Sequence, residues 1–587
     1  MQEKALLLSD DYPSKNDRRA KRLLEFFGVS YQTQSTTDFQ LRESSSAGIT
    51  TSYRLVCAAH NFTRVIEKLR DPSFGSNGFA RRFHSVFLYS NGDVVALAQV
   101  VSQLAGARIS SRAAPGHDTE WHVSDEPDGI CGAMRGLRIH PSSATLGSCD
   151  FLGANESSAT PLIAAGDIAA FLKVTWREVP FFVSSAPLLD VDTELVTPNF
   201  DVRDHLFCAV PVVCYLRWAF RHSSWNTPEL SACLVLDDPL LRARYGFVRY
   251  RELLALMKQL QFSTSIAFIP WNWRRSDPKV VQLFKDNPQH FSLCVHGSDH
   301  TSGEFAISDR VQLRAITSEA VRRMSLHQRR TGLEYDPVMV FPQGIFSKEA
   351  ILELKHAGFD AVVNTEVHSN PPPEQKLRIS DVWDVAVMAY SDFPIYTRRY
   401  PTDGIENFAF DLVLGKPCLV VIHHDFCRDG YARLVEFIRQ MNAIKAPLSW
   451  HRLGDVVRRG YRQKQVSPDS VEIEMYGNKL LLENRSEGAI SYFVRRRERE
   501  PKSIETIHAG PLPVSWEAVE DHIEFKLELG PSESTLLTLG FKPAGELVHG
   551  RKKFAYRAKT RLRRYLSEAR DNYLTPAKAR MVALSRS

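Results

Sequence analysis

Four short polar clusters carry the chemistry in this sequence. LVLDDP holds Asp237 and Asp238, SLCVHGSDH holds His296 and His300, VMVFPQG holds Pro342, Gln343 and Gly344, and LVVIHHD holds His423 and His424. Two imidazoles and one carboxylate suffice to hold a divalent metal while leaving positions open for water and substrate. A second carboxylate beside them takes a proton from that water, and a further imidazole protonates a leaving group. That is equipment for hydrolysing an amide or an ester. Each cluster alone has a plain explanation: Asp-Asp-Pro is a common exit from a strand, because Asp bonds its own backbone and Pro fixes φ, and Pro-Gln-Gly is an ordinary turn. Their common position is what distinguishes them, since each directly follows an apolar run.

Those runs are the elements that must position the clusters. ACLVL, STSIAFI, FSLCV, VMVF, DAVVN and CLVVI lie between about 196 and 462 and read as strands buried on both faces. Helical patterns separate them, including Asp309 to Arg330 with Gly332 beyond it and Lys348 to Ala357 followed by Gly358. Such a repeat predicts a barrel or a doubly wound sheet. In either, loops at the carboxyl ends of the strands converge on one face, so residues distant in sequence meet there. IPWNWRRS follows another of these strands; Trp271 and Trp273 are placed to stack on sugar rings, with Asn272 or Arg274 bonding hydroxyls or an anionic group, or the two tryptophans simply pack a loop.

The rest of the chain divides by pattern. Residues 1–195 read as a Rossmann-like or flavodoxin-like α/β region of unassigned role: KALLLSD, YRLVCAA, SVFLYS and PFFVSS as strands, and Asn16 to Phe27 as a helix ending at Gly28. No GxGxxG or GxxxxGK[ST] motif is present there. Residues 466–545 alternate with period two and predict a small β-sandwich. Residues 546–587 form a basic amphipathic helical tail. Within it, Arg551 to Arg570 carries nine basic residues against Glu568, with a stripe of Phe554, Ala558, Leu562, Tyr565 and Ala569 at helical spacing. The favoured reading packs that stripe on the protein; the sharper one lays it on an anionic membrane.

Composition sets the remaining expectations. A net charge of +6 over 587 residues implies no nucleic-acid partner. Nine cysteines without a CxxC pair, and an N-terminus unlike a signal peptide, point to a reducing, cytoplasmic setting. Leu206 to Phe220 is too short to span a bilayer and carries Pro211 and Arg217, so it reads as a buried helix.

From about 230 to 465, the order DD, HxxxH, a Pro-Gly loop and a terminal strand ending in His resembles the polysaccharide deacetylases of carbohydrate esterase family four, the chitin deacetylase-like group. The resemblance implies a distorted (β/α) barrel over residues 196–465 and metal-dependent removal of acetyl groups, N-acetyl above all, from a sugar or polysaccharide precursor, with Zn2+ as the usual metal. It implies Asp237 as the base, Asp238, His296 and His300 as metal ligands, and a substrate groove at Pro342, Gln343 and Gly344 whose backbone N–H near Gln343 meets the oxyanion. It implies His424 as the acid, being followed by Asp425, with His423 as the alternative; alternation sends the two side chains to opposite faces. The chain also departs from the pattern. Leu236 and Pro239 flank the Asp pair where the family has Phe and Gly, and SDVWD, Ser380 to Asp384, is a weak match to a further motif. VMVFPQG also lacks the Arg that orients the base, leaving Arg378, Arg398 and Arg399 as replacements. The alternative function is a catalytically degenerate carbohydrate-binding or scaffold protein on the same barrel.

Overall fold

The computed structural model describes residues 4–39, 53–69, 78–116, 118–147, 149–153, 158–372, 376–543, 545 and 554–577. Residues 546–553 and 578–587 of the basic tail, and 373–375 of the proline-rich loop, lie outside these. Seven parallel strands close into a barrel: β1 (Leu230–Asp237), β2 (Thr264–Phe268), β3 (Phe291–His296), β4 (Val338–Val340), β5 (Ala361–Asn364), β6 (Ile395–Arg399) and β7 (Cys418–Ile422). Closure comes from β1, which pairs with β2 at Leu234–Thr264 and with β7 at Ala232–Cys418. Six of the strands are the apolar runs read above. The seventh, β6, is IYTRR, whose two arginines hide it from an apolar search.

Alternation along the strands sorts their side chains. Cys233 and Val235 of β1, Cys294 of β3, Val340 of β4, Tyr396 of β6 and Leu419 of β7 share one buried cluster inside the barrel. Leu234 and Leu236, and Val420 and Ile422, belong instead to the core between barrel and helices. Leu453, Val456 and Val457, from the helix Leu453–Arg459, join the interior cluster and plug one end. The carboxyl ends of the strands form the open mouth.

The N-terminal region is built on an eleven-stranded mixed sheet. Its parallel half has the order Tyr31–Ser35, Lys4–Ser9, Tyr53–Ala58, Phe83–Tyr89, a flavodoxin-like 2-1-3-4. The strand Val179–Ser184 continues it in parallel and then turns antiparallel through Ile168–Trp176 and Ala159–Ala165. The helix Leu206–Ala219 is buried along nearly its whole length, its Tyr215 hydroxyl bonding Ser85 of this sheet at 2.9 Å. Among the described residues, no helix is long and apolar enough to cross a membrane.

Beyond the barrel, residues 461–541 form two facing sheets, of five and four strands, around a common apolar core. A buried charge cluster ties them to the barrel. Glu498 accepts from Lys355 Nζ at 2.7 and 2.8 Å and from Arg496 at 2.7 Å, all three being buried. Removing the carboxylate strands two cations in a dry interface. Glu498→Ala is therefore expected to destabilise the fold by about 3–5 kcal/mol, read as an earlier midpoint in chemical denaturation followed by tryptophan fluorescence; an unmoved midpoint would overturn this.

Candidate metal centre and active site

The barrel interior ends, at its mouth, in charge. Alternation that puts Cys233 and Val235 inside puts Asp237 inside as well. The same rule brings His296 from β3, Arg398 from β6 and His423 from the end of β7 to one level. Arg398 grips Asp237 with two hydrogen bonds, Nη1 to Oδ1 at 2.7 Å and Nη2 to Oδ2 at 2.8 Å, with both side chains buried. Of the three arginines considered from sequence, this is the one at the site. Arg399 pairs with Asp411 at 2.7 Å, and Arg378 lies beside Asp192. Burial disfavours the charge on Asp237, but Arg398, His296 and His423 outweigh it, holding the carboxyl below its ordinary value.

Asp238, the next residue, leaves the strand with φ 80, a left-handed conformation that Asp tolerates better than most residues. This turn carries its carboxylate away from Arg398 and toward the histidines. Asp238 Oδ1 lies 2.9 Å from His300 Nε2 and 3.5 Å from His296 Nε2, and the two Nε2 atoms are 3.2 Å apart. These three residues are the candidate metal-ligating group among the described residues.

The loop that presents the histidines is itself held. Glu304 accepts from the backbone N–H groups of Ser298, Asp299 and His300 at 2.8, 3.1 and 3.0 Å. Gly297 has φ 63, and a Cβ there would lie 2.2 Å from Glu304 Oε1 and 2.5 Å from Pro342 Cγ, so only glycine fits.

Three features fit a divalent ion. Separations of 2.9–3.5 Å are those of three donors sharing one ion at bond lengths of about 2.0–2.2 Å. Asp238 Oδ1 is buried without a well-formed hydrogen bond. His296 Nδ1 lies 3.0 Å from the carbonyl oxygen of Val340; donating its proton there leaves Nε2 with a lone pair turned to the triad. Nearby carboxylates also set the protonation. Burial disfavours charge on His296, but Asp237 and Asp238 prevail and raise its pKa above 6.5, while the two histidines hold Asp238 well below the carboxylate range. A metal must therefore displace a proton from His296. Metal affinity is expected to climb as pH rises through and above 6.5 and then to level, with proton release on binding seen by calorimetry in buffers of different ionisation enthalpy. A flat profile from pH 6 to 8 would contradict this.

The other candidates divide. Pro342 and Gly344 are buried in the turn after β4, while Gln343, at φ 61, is exposed on the rim and accepts from Ser302 at 2.9 Å. Trp271 is half-buried, and its backbone N–H donates to the carbonyl oxygen of Ser298 in the histidine loop at 3.1 Å. Asn272, expected to bond hydroxyls, is instead buried, and its Oδ1 accepts from Arg275 at 3.3 Å. Asp384 of SDVWD pairs with Arg462 at 2.8 Å and is no part of the cluster.

His424, the acid preferred from sequence, lies on the other face of β7, with Ile422. Its ring packs near Tyr245 and Phe247, and its Nε2 is 3.6 Å from Asp571. His423 is the one turned inward. It stacks on Tyr400, at 6.3 Å and 18°, and acts on Asp237 electrostatically. Position on the strand puts His423 rather than His424 beside Asp237; the Asp425 cue says nothing about which face a side chain takes.

The basic amphipathic helix expected in the tail is Phe554–Ala569; its seat along the barrel rim is what the sequence did not disclose. Tyr556 donates to Asp299 at 3.0 Å, Glu568 pairs with Arg242 and Arg275, Tyr565 stands edge-on to Trp271, and Asp571 accepts from Tyr245 at 2.8 Å. Arg564 is buried on this inner face, where the field of Asp238 reaches it, and its Nε has no hydrogen-bond partner among the described residues. The expected packing is thus inverted: a polar stripe of Thr560, Arg564 and Glu568 faces the barrel, while Phe554, Leu562 and Leu566 are exposed.

No family model matches the chain, and no curated protein matches it. Among solved structures, Agd3, a novel carbohydrate deacetylase, aligns over 92% of this chain and 98% of its own at 9% identity, with a TM-score of 0.49. A family 4 carbohydrate esterase from Streptomyces lividans, in complex with acetate, aligns over 38% and 92% at 13% identity and a TM-score of 0.24. Puue allantoinase aligns over 39% and 89% at 13% identity and a TM-score of 0.26.

Proposed function

We propose that this protein is a metal-dependent hydrolase that removes acetyl groups, N-acetyl above all, from a carbohydrate or glycoconjugate. The observation that carries the reading is the adjacency of two unlike carboxylates. Asp238 is turned to two imidazoles at 2.9 and 3.5 Å, and Asp237 is held ionised by a buried Arg398. A binding site needs no such division; a hydrolytic site needs a ligand and a base side by side.

A divalent ion held by Asp238, His296 and His300, zinc by preference, supplies Lewis acidity, polarising the acetyl carbonyl and easing deprotonation of water. Asp237 accepts the proton of the attacking water. Arg398 keeps that carboxylate charged and fixes its plane through both oxygens. As the C–N bond of the tetrahedral species breaks, His423 gives its proton to the departing amine, and acetate remains. Gln343, exposed beside Ser302 on the rim, is positioned to help bind the sugar. Pro342 and Gly344 shape the same turn, and the exposed parts of Trp271 add an aromatic edge.

The test is acetate release from a panel of acetylated sugars and oligosaccharides by the purified chain. Activity is expected to vanish after chelation and to return when zinc, manganese or cobalt is added back singly. A folded protein that takes up about one ion per chain but releases no acetate from any panel member would favour the binding-only alternative.

A further inference from the structure

The C-terminal helix has two faces of opposite character. Inward lie Thr560, Arg564, Glu568 and Asp571, anchored to the barrel rim as described. Leu562 lies about 200° around the axis from both Thr560 and Arg564, and so points away from the protein. Phe554 is 86% exposed, Leu562 62% and Leu566 61%; Tyr573 and Leu574, in the π turn that continues the helix, are exposed as well. Among the described residues no other helix exposes more than one large apolar side chain, whereas here they form a stripe along one helix. An apolar stripe of this kind on a folded protein marks a contact surface.

The charges say what it contacts. At 3.6 residues per turn, Arg557 and Arg561 flank the stripe on one side and Lys559 and Arg563 on the other, all exposed. The acids of residues 554–577, Glu568 and Asp571, are both turned inward into ion pairs. The outward surface is therefore apolar along its centre and cationic along both edges. A second copy of the chain would oppose cations to cations. A bilayer with anionic headgroups meets both demands, taking the leucines into the acyl boundary and the arginines at the phosphates. We infer that the outward face of the C-terminal helix is a docking surface for an anionic lipid bilayer, with the inner face fastening the barrel mouth to it.

The experiment is vesicle co-sedimentation with the full chain, using phosphatidylcholine alone and phosphatidylcholine mixed with phosphatidylglycerol. Binding is expected to the mixed vesicles only, and to weaken as salt is raised. A Leu562→Glu, Leu566→Glu variant is expected to lose it by at least about tenfold, and Arg561→Glu, Arg563→Glu to weaken it several-fold per charge. Metal content and denaturation midpoint, unchanged in both variants, show that the helix is still seated. Equal affinity for neutral vesicles, no binding to either, or full binding by the leucine variant would overturn the inference. So would a dimer in sedimentation velocity that the leucine variant dissolves, because the face would then belong to a second copy.

Discussion

Asp237→Asn is expected to lower acetate release by about 10²–10⁴-fold while leaving the bound metal in place. The two carboxylates are neighbours in sequence but not in environment. Asp237 ends β1 inside the barrel, where Arg398 occupies both of its oxygens; Asp238 has turned through φ 80 toward the histidines. An amide at 237 keeps the shape and cannot accept a proton, so chemistry fails and the triad survives. The paired variant His296→Ala, His300→Ala is expected to fail differently, losing the metal and the activity together. Elemental analysis beside an acetate assay separates the two. If the Asn variant turned over normally, Asp237 would not be the base. If it lost its metal, the assignment of base and ligand between the two carboxylates would be wrong.

Arg398 explains what the sequence could and could not disclose. The grouping of Asp238, His296 and His300 was legible because His-x-x-x-His and Asp-Asp each sit directly after a strongly apolar run, and such runs are strands buried on both faces. β6 breaks that rule. In IYTRR the position that should be apolar inside the barrel is an arginine, tolerated because Asp237 neutralises it across the interior. Arg398, one of the three replacements considered, was thus hidden by its pairing with Asp237. A carbohydrate-binding barrel has no evident use for the buried two-point contact between Arg398 and Asp237, which is what the proposed hydrolase requires. The C-terminal helix failed for a related reason. An apolar stripe is read as the packed face because most surfaces that receive a helix are apolar. The barrel rim offers Arg242, Tyr245, Arg275 and Asp299 instead, so the helix seats its polar side. The antiparallel half of the N-terminal sheet was illegible in another way. Its register shifts between Ala169 and Phe171 and again before Leu172, which blurs the period on which a strand reading depends.

His423→Ala is expected to reduce turnover by about 10²–10⁴-fold, and His424→Ala much less. The reasoning is positional. Leu236 of β1 lies opposite Ile422 of β7, so the next residues, Asp237 and His423, run side by side on the interior face. An acid for the departing amine must reach the same substrate atom region that the base serves, and His423 does so from the neighbouring strand. His424 is committed elsewhere. A Cβ on Gly246 would meet its Nδ1 at 2.3 Å, and Asp571 lies 3.6 Å from its Nε2, so the ring is wedged between the barrel rim and the C-terminal segment. Its loss should loosen that segment, seen as faster hydrogen exchange across residues 554–577, with the chemical step largely preserved. Single-turnover rates on a good substrate decide between the two. A larger fall in His424→Ala would restore the order that Asp425 favoured and would mean that the C-terminal segment moves during the reaction to bring His424 inward. Equal and small effects would show that the proton reaches the amine by another route, with Tyr400, stacked on His423 at the rim, the next group to replace.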